Sequence, residues 1–201
     1  MKAVLYEIPP HWLAERRNSD ASQWDEMWDG VLHMCPVPTG RHQSLAYDLR
    51  DHLKRWWAKP RGCRAYGERN LTTPADEAEW TKNYRIPDLL LLDPPRFGID
   101  KDAYLAGAPL VVVEVRSPGD ETYEKLPFYA GLGVPEVWVI LRDTRQPELY
   151  VLATGGYERV APDAGGWVSS PATGVRFLGV GGKLRVQVGD DPATLADLPD
   201  D

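Results

Sequence analysis

Three short apolar runs organise the chain: Leu89-Leu90-Leu91-Leu92, Leu110-Val111-Val112-Val113-Glu114-Val115 and Glu136-Val137-Trp138-Val139-Ile140-Leu141. The second is short and rich in β-branched residues, which predicts a strand buried on both faces, as inside an α/β sheet; the other two read as its companions. A helical stretch over 123–131 separates the second run from the third, so the unit predicts a βαβ crossover with parallel strands. Pro127 sets the start of that helix near Tyr123 to Lys125, or else kinks it. Further upstream, Leu45, Leu49, Leu53 and the Trp56-Trp57 pair recur close to every 3.6 residues and predict an amphipathic helix over 41–58.

Weaker patterns fill the rest. Residues 11–17 suit a short helix, 23–29 end in a turn at Gly30, and 31–34 read as a strand. Residues 63–72 and 84–92 read as strands around an acidic, exposed loop at 74–80. Beyond them, 148–153, 156–160, 167–168, 175–178 and 183–188 are strand-like, punctuated by Gly155-Gly156, Gly165-Gly166 and Gly181-Gly182, and predict an antiparallel extension. The stretch from Asp190 to Asp201 is acidic and is expected to fray. No internal repeat interrupts this order, and one domain over 1–201 is expected, with its core at about 24–153 and a strand-rich extension at 154–189.

A chain of 201 residues can bury roughly 70% of its unfolded surface. With 43% hydrophobic and 26% charged residues, extensive disorder is not expected. Trp12, Trp24, Trp28 and the Trp56-Trp57 pair crowd the first 57 residues and suggest a packing surface there. The net charge of −7 argues against a simple nucleic-acid binder, whose affinity rests on cations that neutralise phosphates. Basic residues do cluster at Arg50, Lys54, Arg55, Lys59, Arg61 and Arg64, and a solvated helix face is the plainer account of them. Cys35 and Cys63 lack zinc-ligand spacing and leave a disulfide open. The first residues lack the apolar core of a signal peptide and no run approaches the roughly 20 residues of a membrane span, so a cytoplasmic location is expected by default.

Glu114 is the residue that this pattern does not explain. An ionised carboxylate inside an apolar strand costs several kcal/mol unless a cation, a metal or a proton accompanies it. Asp88, after Pro87 at the mouth of the Leu89–Leu92 run, lies 26 positions before Glu114, and Lys125 lies 11 after it. Those intervals fit neighbouring strands and a following helix. Two carboxylates suit Mg²⁺, with Mn²⁺ as a substitute, because hard cations take oxygen ligands and keep waters that substrate can replace. The plainer accounts are an acid paired structurally with Arg116 or Lys125, a turn acid at position 88 and a solvated helix lysine. For His42 it is a capping or packing role, set against contact with substrate or metal, and Glu26 is a candidate extra acid near the metal. Ser117 has no evident His and Asp partners, which argues against a serine hydrolase.

The motifs Ile86-Pro87-Asp88, Val113-Glu114-Val115-Arg116-Ser117-Pro118, Glu124-Lys125-Leu126-Pro127-Phe128-Tyr129 and Gly133-Val134-Pro135-Glu136-Val137-Trp138 occur in the order seen in the Uma-two family of endonucleases. Glu26, Gly30, Met34, Pro36, Pro38 and His42 precede them in that family's order, so the chain resembles it from about residue 24 to 153. That family lies within the PD-(D/E)XK restriction-endonuclease-like superfamily. The resemblance implies a mixed central sheet flanked by helices, with Asp88, Glu114 and the Val115 carbonyl as metal ligands and Lys125 as the catalytic lysine. The wider superfamily places its lysine where Arg116 stands here, which makes Arg116, with Glu26 and His42, an accessory candidate. The activity implied is metal-dependent hydrolysis of phosphodiester bonds in DNA by activated water, in a homodimer. The competing readings are a noncatalytic dimeric protein on the same fold and a hydrolase of small phosphorylated molecules.

Overall fold

The computed structural model describes residues 3–5, 9–18 and 20–200. Its first elements are β1 (Ala3–Leu5) and α1 (Pro10–Arg17), the latter being the short helix expected over 11–17. A hairpin of β2 (Glu26–Trp28) and β3 (Val31–Met34) follows, turned by Asp29 and Gly30 at φ 48° and 85°. A two-residue hairpin turn of this hand needs positive φ at both positions, which Gly adopts freely and Asp tolerates. β1 pairs with the other edge of β3, completing a three-stranded sheet.

α2 (Gly40–Leu53) continues through a π-helical turn at Lys54–Ala58 and a 3₁₀ turn to Arg61, so the amphipathic pattern over 41–58 is realised. Leu45, Leu49, Leu53 and Trp57 are buried on its inner face, whereas Lys54, Arg55, Lys59, Arg61 and Arg64 are exposed. The stretch 63–72, expected as one strand, is two. β4 (Arg64–Tyr66) and β5 (Leu71–Thr72) flank Gly67-Glu68-Arg69-Asn70, whose polar and glycine residues break the alternation. The acidic loop is a 3₁₀ segment, Pro74–Lys82, capped by Thr73, whose hydroxyl accepts the Asp76 N–H; none of its residues is buried.

β6 (Leu89–Leu92), β7 (Leu105–Ala106), β8 (Val111–Arg116), α3 (Leu126–Leu132), β9 (Glu136–Leu141), β10 (Pro147–Ala153) and β11 (Gly156–Arg159) complete the centre. The six-stranded sheet runs β11-β10-β9-β8-β6-β4, and only β8 and β9 are parallel, as the βαβ unit requires. β5 and β7 pair separately. β12 (Val168–Ser169), β13 (Val175–Val180), β14 (Lys183–Val188) and β15 (Ala196–Leu198) form the antiparallel C-terminal sheet.

Three expectations change here. β10 and β11 belong to the central sheet rather than to the antiparallel extension: β10 pairs with β9, and the tight turn after Ala153 folds β11 back on β10 with Ala153 opposite Gly156. The acidic tail does not fray. Asp191 caps a 3₁₀ turn, β15 pairs with β14, and Leu198 is buried; only Asp201 lies outside the described residues. The N-terminal Trp residues also do not share one surface: Trp57 is in the core, Trp24 and Trp28 are partly buried, and Trp12 is 56% exposed. Cys35 and Cys63 are free thiols, and no described helix is long and apolar enough to cross a membrane.

Alternation along β8 divides the core. Val111, Val113 and Val115 join α2 and the C-terminal sheet in one apolar cluster, while Val112 joins Leu90, Leu92 and Tyr129 in another. Glu136, also buried, has no cation partner among the described residues. Its carboxylate accepts from Trp138 Nε1 (2.9 Å), Ser170 Oγ (2.5 Å) and the Ala172 N–H (2.6 Å), so dipoles alone hold it and tie the 170–173 loop to β9.

His52 packs under the C-terminal turn with Nε2 unpartnered among the described residues. Burial, then the Arg55 charge, lowers its imidazole below 6.5, and the Thr194 backbone offsets only part of this. A base lowered in the folded state takes up its proton in the unfolded chain first, so stability holds above 6.5 and falls as pH drops through it. The urea midpoint is expected to fall between about pH 7 and pH 5, and His52→Leu should flatten that slope. An unchanged slope in the variant would assign the effect elsewhere.

Candidate active site

The pairing of β6 with β8 sets Leu89 opposite Val113 and Leu90 opposite Val112. Carried one position past the start of β6, the same register sets Asp88 opposite Glu114, and directly opposed residues share a face. Asp88 Oδ2 accepts the Val115 N–H at 2.6 Å, which locks the carboxylate to the neighbouring strand. Oδ1 has no partner among the described residues. Pro87 supports this placement, since proline holds its predecessor extended and cannot itself donate into the sheet.

Lys125 closes the 3₁₀ turn Tyr123–Lys125 that leads into α3 and is buried there. Nζ lies 2.8 Å from Glu26 Oε1 and 3.2 Å from Glu114 Oε1, so one ammonium sits between two carboxylates. Tyr129 donates its hydroxyl to Glu114 Oε1 at 2.6 Å. It stands four residues after Lys125, on the same helical face, a spacing visible in the sequence. Glu26, 1% exposed, also accepts the Ile86 N–H and Trp28 Nε1, each at 2.7 Å. Both of its oxygens are occupied, so Glu26 holds Lys125 and the Ile86-Pro87-Asp88 segment in place.

Electrostatics follows from these contacts. Burial pushes the Glu114 carboxyl up from 4.5, against the pull of Lys125, and the Asp88 and Glu26 charges push it further. Burial would lower the Lys125 ammonium, yet Glu114 and Glu26 outweigh it and hold the group well above its usual 10.5. His42, in the first turn of α2, places Nε2 3.3 Å from Asp88 Oδ2. Burial lowers its imidazole, and Asp88, with Glu114 and the Val115 backbone, reverses the sign and raises it above 6.5.

These groups face one cavity of about 440 Å³ between the first turns of α2 and α3 and the loop after β8. Asp88, Glu114, Lys125, Val115, Glu26 and His42 all line it. Arg116 does not. Its guanidinium lies over the Tyr123 ring at 4.7 Å and 4.0 Å from Asp120. Sequence reasoning also missed the Glu121 carboxylate, 2.9 Å from Nδ1 of His33, whose ring stacks on Trp28 at 3.8 Å. Arg142, at the end of β9, completes the wall.

Asp88 and Glu114 offer oxygens to a cation, and buried His42 adds an Nδ1 that has no hydrogen-bond partner among the described residues. Asp88 Oδ1 has no partner among the described residues, Glu114 stands opposite it, and three carboxylates here share one ammonium and one imidazole. Among the described residues no group of three or more His, Cys, Asp or Glu side chains has metal-holding geometry. Carboxylate oxygens of this kind are donors that a hard divalent cation takes one or two at a time.

Comparison with known proteins agrees with this architecture. The family model described as "Uma2: Putative restriction endonuclease" matches residues 14–180. Among solved structures, a putative nuclease belonging to DUF820 from Anabaena variabilis ATCC 29413 is similar in fold, at 19% identity and a TM-score of 0.58, over 81% of this chain and 90% of that chain. No curated protein matches the chain.

Proposed function

From the premise that this chain belongs to the Uma2 family, described as putative restriction endonucleases, we propose that it is a Mg²⁺-dependent endonuclease that hydrolyses phosphodiester bonds in DNA. The observation that carries this reading is the cross-strand pair of Asp88 and Glu114 beside a buried Lys125, all lining one cavity. Asp88, Glu114 and the Val115 carbonyl would hold the ion. When bound, it would lower the pKa of water and stabilise negative charge on a phosphoryl oxygen. Lys125 adds a fixed positive charge where the phosphate charge develops. Its two carboxylate neighbours keep it protonated, which suits it to electrostatic stabilisation and not to proton abstraction. Asp88 is held by the Val115 N–H on one oxygen, leaving the other for a ligand. A cytoplasmic homodimer, whose two sites would address two strands, completes the proposal.

A second reading has one observation in its favour. Lys125 already serves as counter-ion to Glu114, so the cluster is self-sufficient as a structural device in a noncatalytic protein of this fold. Calorimetric titration of Mg²⁺ and Mn²⁺ into the wild type, with nicking of supercoiled plasmid measured on the same samples, separates the two. Metal binding together with nicking that EDTA stops is the expected result. Absence of both would favour the noncatalytic reading.

A further inference from the structure

A phosphate must enter a cavity whose walls are mostly of its own sign. Six acidic side chains line it, against three basic ones, His42, Lys125 and Arg142. His42 is engaged by Asp88, and Lys125 lies between Glu26 and Glu114. Both are already shared with buried carboxylates in the free protein. Arg142 is also ion-paired, Nε with Asp143 Oδ1 at 2.7 Å, and Nη1 donates to Ser117 Oγ at 3.3 Å, but Nη2 has no partner among the described residues.

The anchoring follows from the fold. Arg142 leaves β9 with its own N–H bonded to the Arg116 carbonyl at 2.9 Å, which sets it beside the loop after β8. That loop is braced by Asp120, which accepts the N–H groups of Ser117 (2.5 Å) and Thr122 (3.1 Å). The guanidinium is thus fixed at two corners with one edge open. Ser117 accepts from Arg142, so its own O–H remains available to donate. A planar fork fixed in this way loses little freedom on taking an oxyanion.

We propose that Arg142, with the Ser117 hydroxyl, is the anion anchor of the cavity and takes a non-bridging oxygen of a phosphodiester. That the phosphodiester belongs to DNA rests on the nuclease reading, whereas the anion site itself does not. Arg142→Gln and Arg142→Lys test it, with Arg185→Gln, on the C-terminal sheet, as a charge control. Two probes are used: a fluorescein-labelled DNA duplex in Ca²⁺, followed by anisotropy across a salt series, and the small phosphodiester bis(4-nitrophenyl) phosphate.

Arg142→Gln is expected to weaken duplex binding by roughly tenfold and to reduce the salt slope by about one, with Mg²⁺ affinity unchanged. Arg142→Lys should recover part of the loss, because a point charge cannot keep Asp143, Ser117 and a phosphate together. Arg185→Gln should match the wild type. Duplex and small-phosphodiester affinities of Arg142→Gln within twofold of wild type would overturn the inference. If wild type binds only the small phosphodiester and Arg142→Gln loses it, the anchor stands and the DNA reading falls. A wild type that binds neither overturns both.

Discussion

Replacing Lys125 with Met is expected to lower the unfolding free energy by about 3–5 kcal/mol, the range seen when one partner of a buried ion pair is removed. Methionine nearly preserves volume, so the loss is electrostatic. Glu26 and Glu114 would stay buried beside Asp88 without the ammonium that lies 2.8 and 3.2 Å from them. Their remaining donors, Ile86 N–H, Trp28 Nε1 and Tyr129 OH, satisfy lone pairs but do not cancel charge. Urea denaturation at neutral pH measures the effect. Adding Glu26→Gln and Glu114→Gln to the same chain should restore much of the stability, since the cluster is then neutral. A loss below about 1 kcal/mol, typical of an exposed pair, would mean that the cluster is wet.

Glu114→Gln and Asp88→Asn are expected to abolish Mg²⁺ binding and to lower the nicking rate by a factor on the order of 10² to 10³ or more. Yet Glu114→Gln should leave the fold as stable as the wild type or more so. A carboxyl raised above 4.5 lets the folded protein keep a proton that the unfolded chain has lost, so stability falls as pH rises past 4.5. An amide removes that cost, still accepts from Tyr129, and leaves Lys125 paired with Glu26. Residues kept for function at the expense of stability behave in this way. Metal affinity by calorimetry, plasmid nicking and urea midpoints on the same preparations decide it. A variant that nicks at the wild-type rate would remove Glu114 from the reaction.

The parts of the fold that were legible in the sequence were those whose pattern is long or continuous. The apolar runs at 89–92, 111–115 and 136–141 became inner strands, and the repeat of Leu45, Leu49, Leu53 and Trp57 became the buried face of α2. What misled was brevity. Ala196–Leu198 offers only three residues of alternation among acids, yet pairing with β14 and burial of Leu198 decide its place. In the site, Asp88, Glu114 and Lys125 could be grouped because strand and helix spacing bring them together. Glu26 could be named but not assigned, since its role depends on donors at Trp28, Ile86 and Lys125 that are distant in the chain. Arg142 gave no signal, because its meaning lies in how few other cations face the cavity.

The two faces of the central sheet are completed at different moments of synthesis. The cluster that contains Leu90, Leu92, Val112, Tyr129 and Val139 draws its buried members from residues 71–139 and is whole once β9 has emerged. The opposite cluster joins Leu45 and Leu49 of α2 to Val175, Phe177, Leu184, Val186 and Leu198. Its last members come from β13 to β15, so on the ribosome the part of this apolar face that those strands cover stays open until they arrive, a state in which such surfaces are prone to aggregate. The buried Glu136, which reaches across to Ser170 and Ala172, joins the half made early to the half made late.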